Sequence, residues 1–386
     1  MTRKTYSTID RRRFLQQTWT GVGASVSLAL LPAHGLFATA RFGDNPFTLG
    51  VASGDPTATG IVLWTRLAPE PAVPGSLGRR SIPVGWRIAT DSRMRRVVAR
   101  GVSIAPHRLA HSVHVEVDGL RPGRDYFYQF DARGEESATG HFRTAPAAHE
   151  LVPRLRFAFA TCQDWPSGYY TAYRDMISQD LDLVLHLGDY TYEYEIGATT
   201  GRGVPPPAGF ERETVDLHTY RLRHTLYKLD PDLQAAHARF PFLVIWDDHE
   251  VQNDYSGIAP EFGSPSDAFI ARRAAAYQAY YEHMPIRSTV ARFPSRNLRI
   301  FRRLRYGQLA DFVMLDDRQY RTDNPCGDGE ALRCEEAIEG TYTMLGRTQE
   351  RWLERGLRRS RARWNIIGQQ LLLAELEHAT IQPNWF

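Results

Sequence analysis

Apolar residues recur in short runs between about residues 47 and 145. The runs include Ile61-Val62-Leu63-Trp64, Val84-Gly85-Trp86-Arg87-Ile88, Val113-His114-Val115-Glu116-Val117 and Tyr126-Phe127-Tyr128-Gln129-Phe130. Turn-forming stretches separate them, among them Ser53-Gly54-Asp55-Pro56 and Leu120-Arg121-Pro122-Gly123. Regular short strands with such turns predict an all-β sandwich. After Thr144-Ala145-Pro146-Ala147-Ala148 the pattern changes. Apolar strands expected at 155–160, 181–187, 242–246, 312–315 and 364–368 now alternate with helical segments at 172–179, 217–226, 268–282 and 349–360. That alternation predicts an α/β layered domain. The division expected is therefore a β-sandwich over 41–147 and an α/β domain over 148–386. A loop at 197–209 carries Pro205-Pro206-Pro207 and reads either as a rim over a site or as plain surface.

Polar motifs stand where the predicted strands end. The strand through Thr161 ends in Cys162, and the next ends in Gly188-Asp189-Tyr190-Thr191-Tyr192. Two more end in Asp247-Asp248-His249-Glu250 and in Asp316-Asp317-Arg318. Ligands of α/β sheets bind beyond the carboxyl ends of strands. Taken singly, a Gly-Asp turn merely ends a strand and an Asp-His pair is a surface hydrogen bond. Taken together, neighbouring strand ends collect a thiol, carboxylates, a phenol and an imidazole. So many acids in one place are costly without cations, and metal ions resolve the cost. Asn253 reads as a further polar group of the site or as a helical surface residue. Asp316, Asp317 and Arg318 read as substrate contacts or as braces of their loop. His111, His114 and His141 lack ligand spacing and read as ordinary strand residues.

Composition narrows the class. A chain of 386 residues with 42% hydrophobic and 24% charged residues is neither disordered nor collagen-like, and it is long enough for two domains. Arg3, Lys4, Arg11, Arg12 and Arg13 stand against Asp10 in the first 40 residues, so the net +3 of the whole leaves the remainder at −1. A nearly neutral body gives no electrostatic case for nucleic acid. The charged start, an uncharged stretch at 21–31 and the small-residue exit Ala38-Thr39-Ala40 read as a signal peptide over 1–40. The apolar stretch is too short to span a bilayer stably, so no membrane anchor is expected. In an oxidising compartment Cys326 and Cys334, which bracket a turn-rich loop, read as a disulfide contributing roughly 2.5 kcal/mol. Cys162 is left over, as a buried hydrophobe, a metal ligand or a nucleophile; its strand-end place favours a ligand.

These motifs also carry resemblances. Arg11-Arg12-Arg13-Phe14-Leu15 resembles a twin-arginine signal, which implies the twin-arginine translocase as an export partner and a periplasmic, cell-wall or secreted product. Leu120, Pro122, Gly123, Tyr126 and Tyr128 resemble the E–F corner of fibronectin type III domains. Cys162, Asp189 and Asp248-His249 follow the order of metallophosphoesterase motifs, and Asp189 with Tyr192 resembles the ligand pair of purple acid phosphatases. The whole order resembles the PhoD-like alkaline phosphatase and phosphodiesterase family. It includes Gly50-Val51-Ala52-Ser53-Gly54-Asp55-Pro56, Cys162-Gln163, the run from His186 to Tyr194, and Trp246-Asp247-Asp248-His249-Glu250. It continues through Arg318-Gln319-Tyr320-Arg321, the Cys326/Cys334 pair and the run from Trp364 to Gln370.

The resemblance implies a fibronectin-like sandwich followed by a metallophosphatase-like α/β domain in a monomer. It implies metal-dependent hydrolysis of phosphate esters, with a phospholipase D-type diesterase as the alternative. Cys162 and Tyr192 would bind Fe³⁺, Asp189 would bridge to Ca²⁺, Asp248 would bind that second ion, and His249 would stabilise the transition state or protonate the leaving group. Members of the family continue well past the position of Phe386 and carry a Gly-Asp-x-His motif there. An incomplete α/β domain with little activity is therefore expected, and a non-catalytic remnant or secreted binding protein is the reading from another class.

Overall fold

The computed structural model describes Phe42 and residues 45–287, 297–327 and 334–373. The leader expected over 1–40 lies outside the described residues. Strands β1 (Val51–Gly54), β2 (Ile61–Arg66), β3 (Ile82–Ala89), β4 (Val97–Ala105), β5 (Ser112–Val117), β6 (Asp125–Ala132), β7 (Glu135–Glu136) and β8 (Gly140–Arg143) come first. Their inward residues face one another across two sheets: Val51, Ile61, Leu63, Val113 and Val115 from one meet Val84, Ile88, Tyr128, Phe130 and Phe142 from the other. The strand-rich start is thus a sandwich held by alternating apolar positions. The corner seen in the sequence is formed, since the Tyr126 hydroxyl accepts the Arg121 N–H at 3.0 Å. His111 stands in the turn before β5 rather than in a strand.

Six more strands follow: β9 (Phe157–Ala160), β10 (Leu183–Leu187), β11 (Pro241–Ile245), β12 (Arg302–Tyr306), β13 (Ala310–Met314) and β14 (Trp364–Gly368). The helices are α1 (Thr171–Met176), α2 (Leu217–Lys228), α3 (Pro231–Arg239), α4 (Asp267–His283), α5 (Glu335–Glu339) and α6 (Gly346–Arg359). Parallel β10 and β11 are buried and mainly apolar, as strands covered on both faces require, whereas β9 is the edge strand of the sheet and leaves Phe159 exposed. They do not form a sheet of their own. One six-stranded sheet runs β5-β2-β1-β11-β10-β9, with β1 parallel to β11 and antiparallel to β2. The sandwich and the α/β region therefore share a sheet. Gly54 permits the junction, because a Cβ there would collide with the Phe242 and Pro285 carbonyl oxygens. A second sheet, β12-β13-β14, packs on the first, with Phe312 edge-on to Phe157 at 5.4 Å.

Helix ends follow their local chemistry. Asp216 and Thr219 make a reciprocal capping box at the start of α2. At α3, Asp230 caps the Asp232 and Leu233 N–H groups and Pro231 opens the helix. Asp230 also pairs with Arg202 at 2.8 Å. Arg202 lies against the rings of Trp165, Tyr169 and Tyr170, so it anchors the loop at 197–209 to the helical layer.

Lys228, at the end of α2, is buried over the rings of Trp64 and Tyr190, with Nζ 3.2 Å from the Tyr190 hydroxyl. Burial pulls its pKa down to about 7. An unfolded lysine titrates near 10.4, so between these values the unfolded chain binds the proton and the folded chain does not. Stability is therefore expected to rise with pH through that window, by up to about 1.4 kcal/mol per unit. Equilibrium unfolding at pH 7 and pH 9 checks this, and Lys228→Met should flatten the slope.

Candidate metal centre

The centre is built from the three loops that leave β9, β10 and β11. The Cys162 N–H donates to Gly188 O at 3.2 Å and the Gln163 N–H to Asp189 O at 3.1 Å, which ties the first two loops together. Cys162 and Asp189 both stand in the left-handed region, at φ 54° and 51°. Such conformations in non-glycine residues cost energy and persist only where the surroundings impose them. Gly188, at φ 107°, lies where a Cβ would strike the backbone and Cβ of Asp247. The second and third loops can approach this closely only with glycine there.

Glu250 joins those two loops. Its carboxylate is 1% exposed and accepts three backbone N–H groups: Asp189 at 3.1 Å, Asp247 at 2.9 Å and Tyr190 at 2.7 Å. Burial, followed by the negative charge of Asp189, raises its pKa well above the usual carboxylate range.

Five side chains converge above this clamp. The Cys162 thiol and the Tyr192 hydroxyl both donate to Asp189 Oδ2, at 3.3 and 3.1 Å. Asp189 Oδ1 is buried with no hydrogen-bond partner among the described residues. Ligand atoms of Asp189, Asp248 and His249 lie within 4.8 Å of one another. The His249 ring stacks on Tyr192 at 4.1 Å and meets the edge of Tyr194 at 5.3 Å. Its Nδ1 is 2.8 Å from Oε2 of Glu193, a residue 2% exposed, whose Oε1 accepts the Asn253 N–H.

Arg318 reaches in from the second sheet. It contacts Asp247 Oδ1 at 2.6 Å, Asp248 Oδ1 at 3.3 Å and Asp254 Oδ1 at 3.5 Å. Asp316 is a brace, accepting from Trp246 Nε1 and from the Arg318 and Gln319 N–H groups. Asp317 accepts the Gln370 N–H through Oδ2. Asn253 lies in a turn, not a helix.

The electrostatics are those of a crowded acid cluster. Burial and the charge of Asp248 raise Asp189. Burial raises Asp247 to about 7 even though Arg318 opposes it. The Cys162 thiol rises through burial, and the Tyr192 phenol rises through burial and the adjacent Asp189. Burial lowers His249, but the Glu193 hydrogen bond and the charges of Asp248, Glu193 and Asp189 override it and raise the pKa to about 9. Protons on the thiol and phenol hold the Asp189 carboxylate in place, and a cation would take over that work by displacing them.

All five candidate site residues, Cys162, Asp189, Tyr192, Asp248 and His249, thus come together. The partners of these residues that sequence reasoning missed are Glu193, Glu250 and the reach of Arg318. Apart from Glu250 with the Asp247 N–H three residues before it, they pair with residues 56 to 71 positions away, so local spacing did not signal the contacts between loops. Cys326 and Cys334 form a disulfide with Cα atoms 5.7 Å apart, and Cys162 is unpaired.

Residues 157–385 match the PhoD-like phosphatase family, and residues 32–146 match the N-terminal domain of PhoD-like phosphatases. The chain is 45% identical over 378 residues to alkaline phosphatase D of Bacillus subtilis (strain 168), covering 97% of this chain and 64% of that protein. It is 28% identical over 161 residues to purple acid phosphatase 23 of Arabidopsis thaliana, covering 40% of this chain and 34% of that protein. A solved structure of PhoD superposes with a TM-score of 0.85 at 44% identity, covering 90% of this chain and 66% of that one. The chain therefore spans 64% of the length of the Bacillus relative.

Proposed function

Because the chain belongs to the PhoD-like phosphatase family, we propose that its strand-end cluster hydrolyses phosphate esters with bound metal ions. The observation that carries the reading is the buried, unpartnered Asp189 Oδ1 amid the Asp248 and His249 donors. An orphaned carboxylate oxygen in such company suits a cation. The donor set separates into two kinds. Thiol and phenol with Asp189 suit Fe³⁺, while the carboxylates of Asp189 and Asp248 suit Ca²⁺. When bound, such ions polarise the phosphoryl group and absorb its charge.

The protein's own groups do the rest. Glu193 holds the His249 Nδ1 and fixes the ring against Tyr192, so Nε2 is the atom that delivers a proton to the leaving alkoxide. Arg318 holds Asp247 and Asp248 in place from the second sheet. The glutamate and arginine are positioning residues and the histidine is the catalytic one.

Assay of the purified chain on an aryl phosphate monoester, a phosphodiester and phosphatidylcholine tests the reading and ranks the substrates. Chelation should abolish turnover. His249→Ala should lower kcat by about 10²–10⁴, and Glu193→Gln by about 10–100. Turnover that survives chelation and His249→Ala would sink the proposal.

The N-terminal charge and apolar pattern supports export by the twin-arginine route, and the proposed product is a monomer with a sandwich over 41–147 and the catalytic region over 148–386. Among the described residues no helix is long and apolar enough to cross a membrane. N-terminal sequencing of the exported chain should begin at Arg41; retention of the first 40 residues would contradict this.

A further inference from the structure

The hairpin of β3 and β4 concentrates positive charge. Residues 79–105 hold seven arginines and one acid, Asp91, a net charge of +6, which leaves the rest of 41–386 at −7. Arg87 pairs with Glu136 at 2.6 Å and Arg96 with Asp91 at 3.6 Å. The other five, Arg79, Arg80, Arg93, Arg95 and Arg100, are exposed and make no ion pair among the described residues. A charge so unevenly placed attracts anionic partners to one side of the molecule.

The same hairpin exposes branched apolar side chains. Strand β4 is the outer strand of its sheet, whose order is β4-β3-β6-β7. Its register places Arg100, Val102 and Ile104 opposite Arg87, Gly85 and Pro83, on the face away from the core residues Val84 and Ile88. Val102 and Ile104 are 58% and 56% exposed, and Val97 and Val98 at the start of the strand are exposed as well. Cations stand at both ends of this run. Arg93, Arg95 and Arg96 lie in the turn before β4, and Arg79 and Arg80 lie just before Ile82, which pairs with Ala105 at the far end. Charge normally protects an exposed strand edge from further pairing. A second copy is a poor partner here, since β4 against β4 would bring two surfaces of +6 together. A soluble polyanion would meet the arginines but leave the valines and the isoleucine in water. An anionic bilayer meets both, because headgroups take the guanidinium groups and the apolar side chains enter the interface.

We propose that the β3–β4 hairpin docks the exported protein reversibly on a bilayer rich in anionic phospholipid, through Arg93, Arg95 and Arg100 and the side chains of Val102 and Ile104. The contact is peripheral, and the inference goes beyond the hydrolytic reading and does not depend on it. Flotation of the exported chain, beginning at Arg41 so that the leader takes no part, tests it with vesicles of phosphatidylcholine alone or with one third phosphatidylglycerol. Binding is expected on the anionic vesicles only, and it should fall as added salt shortens the range of the charges. Arg95→Gln and Arg100→Gln should each weaken it about fivefold. Val102→Ser combined with Ile104→Ser should weaken it at least about tenfold at unchanged charge. All four side chains are exposed, so these variants leave the core intact. Asp248→Asn should bind vesicles as the parent does, because the metal centre takes no part. Absent binding, equal binding to neutral vesicles, or arginine variants that bind like the parent would overturn the proposal. Loss of binding in Asp248→Asn would overturn it by assigning the lipid to the phosphoester site. Vesicle binding unchanged by the two serines, with equal retention on long-chain polyphosphate, would overturn it in favour of a soluble polyanion.

Discussion

Asp189→Asn is expected to lower phosphoester turnover by at least about a hundredfold while leaving the fold as stable as before or more so. Loss of a group that merely supports a metal ligand commonly costs ten- to a hundredfold. Asp189 is more central than that: one oxygen takes the Cys162 and Tyr192 donors, and the other is unpartnered toward the cluster. The stability arm follows from the same burial. The Asp189 carboxyl is raised by desolvation and by Asp248, so its charge opposes folding of the metal-free protein. An amide removes that charge. Steady-state kinetics and thermal unfolding of the same preparation read both arms. A variant that loses activity only because it unfolds would contradict the argument.

Glu250→Ala is expected to act in the opposite way, on the fold first. Three buried N–H groups, of Asp189, Tyr190 and Asp247, would lose their acceptor. Each such orphan costs about 1–3 kcal/mol, so the total is at least about 3 kcal/mol. Against a usual stability of about 5–15 kcal/mol, that is a large fraction. Glu250→Gln should be only partly better, because its amide nitrogen would face donors. Denaturant unfolding midpoints measure the loss. Unchanged midpoints would show that the loops hold without the clamp.

These residues also show where the sequence was legible. The strand ends bearing Cys162, Asp189 and Asp248 stood out because continuous apolar runs stop abruptly at small, polar residues. The Tyr126 corner was visible because its turn and its tyrosine are local. Glu193 and Glu250 were silent, since an acid near other acids looks the same whether it clamps a distant loop or faces water. The shared sheet was hidden for a related reason: β1 pairs with β11 across nearly 190 residues, at Ser53 with Pro241. Nothing in a local hydrophobic pattern names a partner so far away. Strand β12, with Arg302, Arg303 and Arg305 around Leu304, was missed because its charges mask the apolar alternation. Helix α3 was missed because a short segment with Pro231 at its start also reads as a turn.

The metal content of the purified chain, measured by elemental mass spectrometry beside its Asp189→Asn variant, tests the central claim most directly. The account predicts iron and calcium retained by the parent chain and lost together in the variant, because both ions would share the Asp189 carboxylate. Metal absent from the parent chain, or retained equally by both proteins, would contradict it.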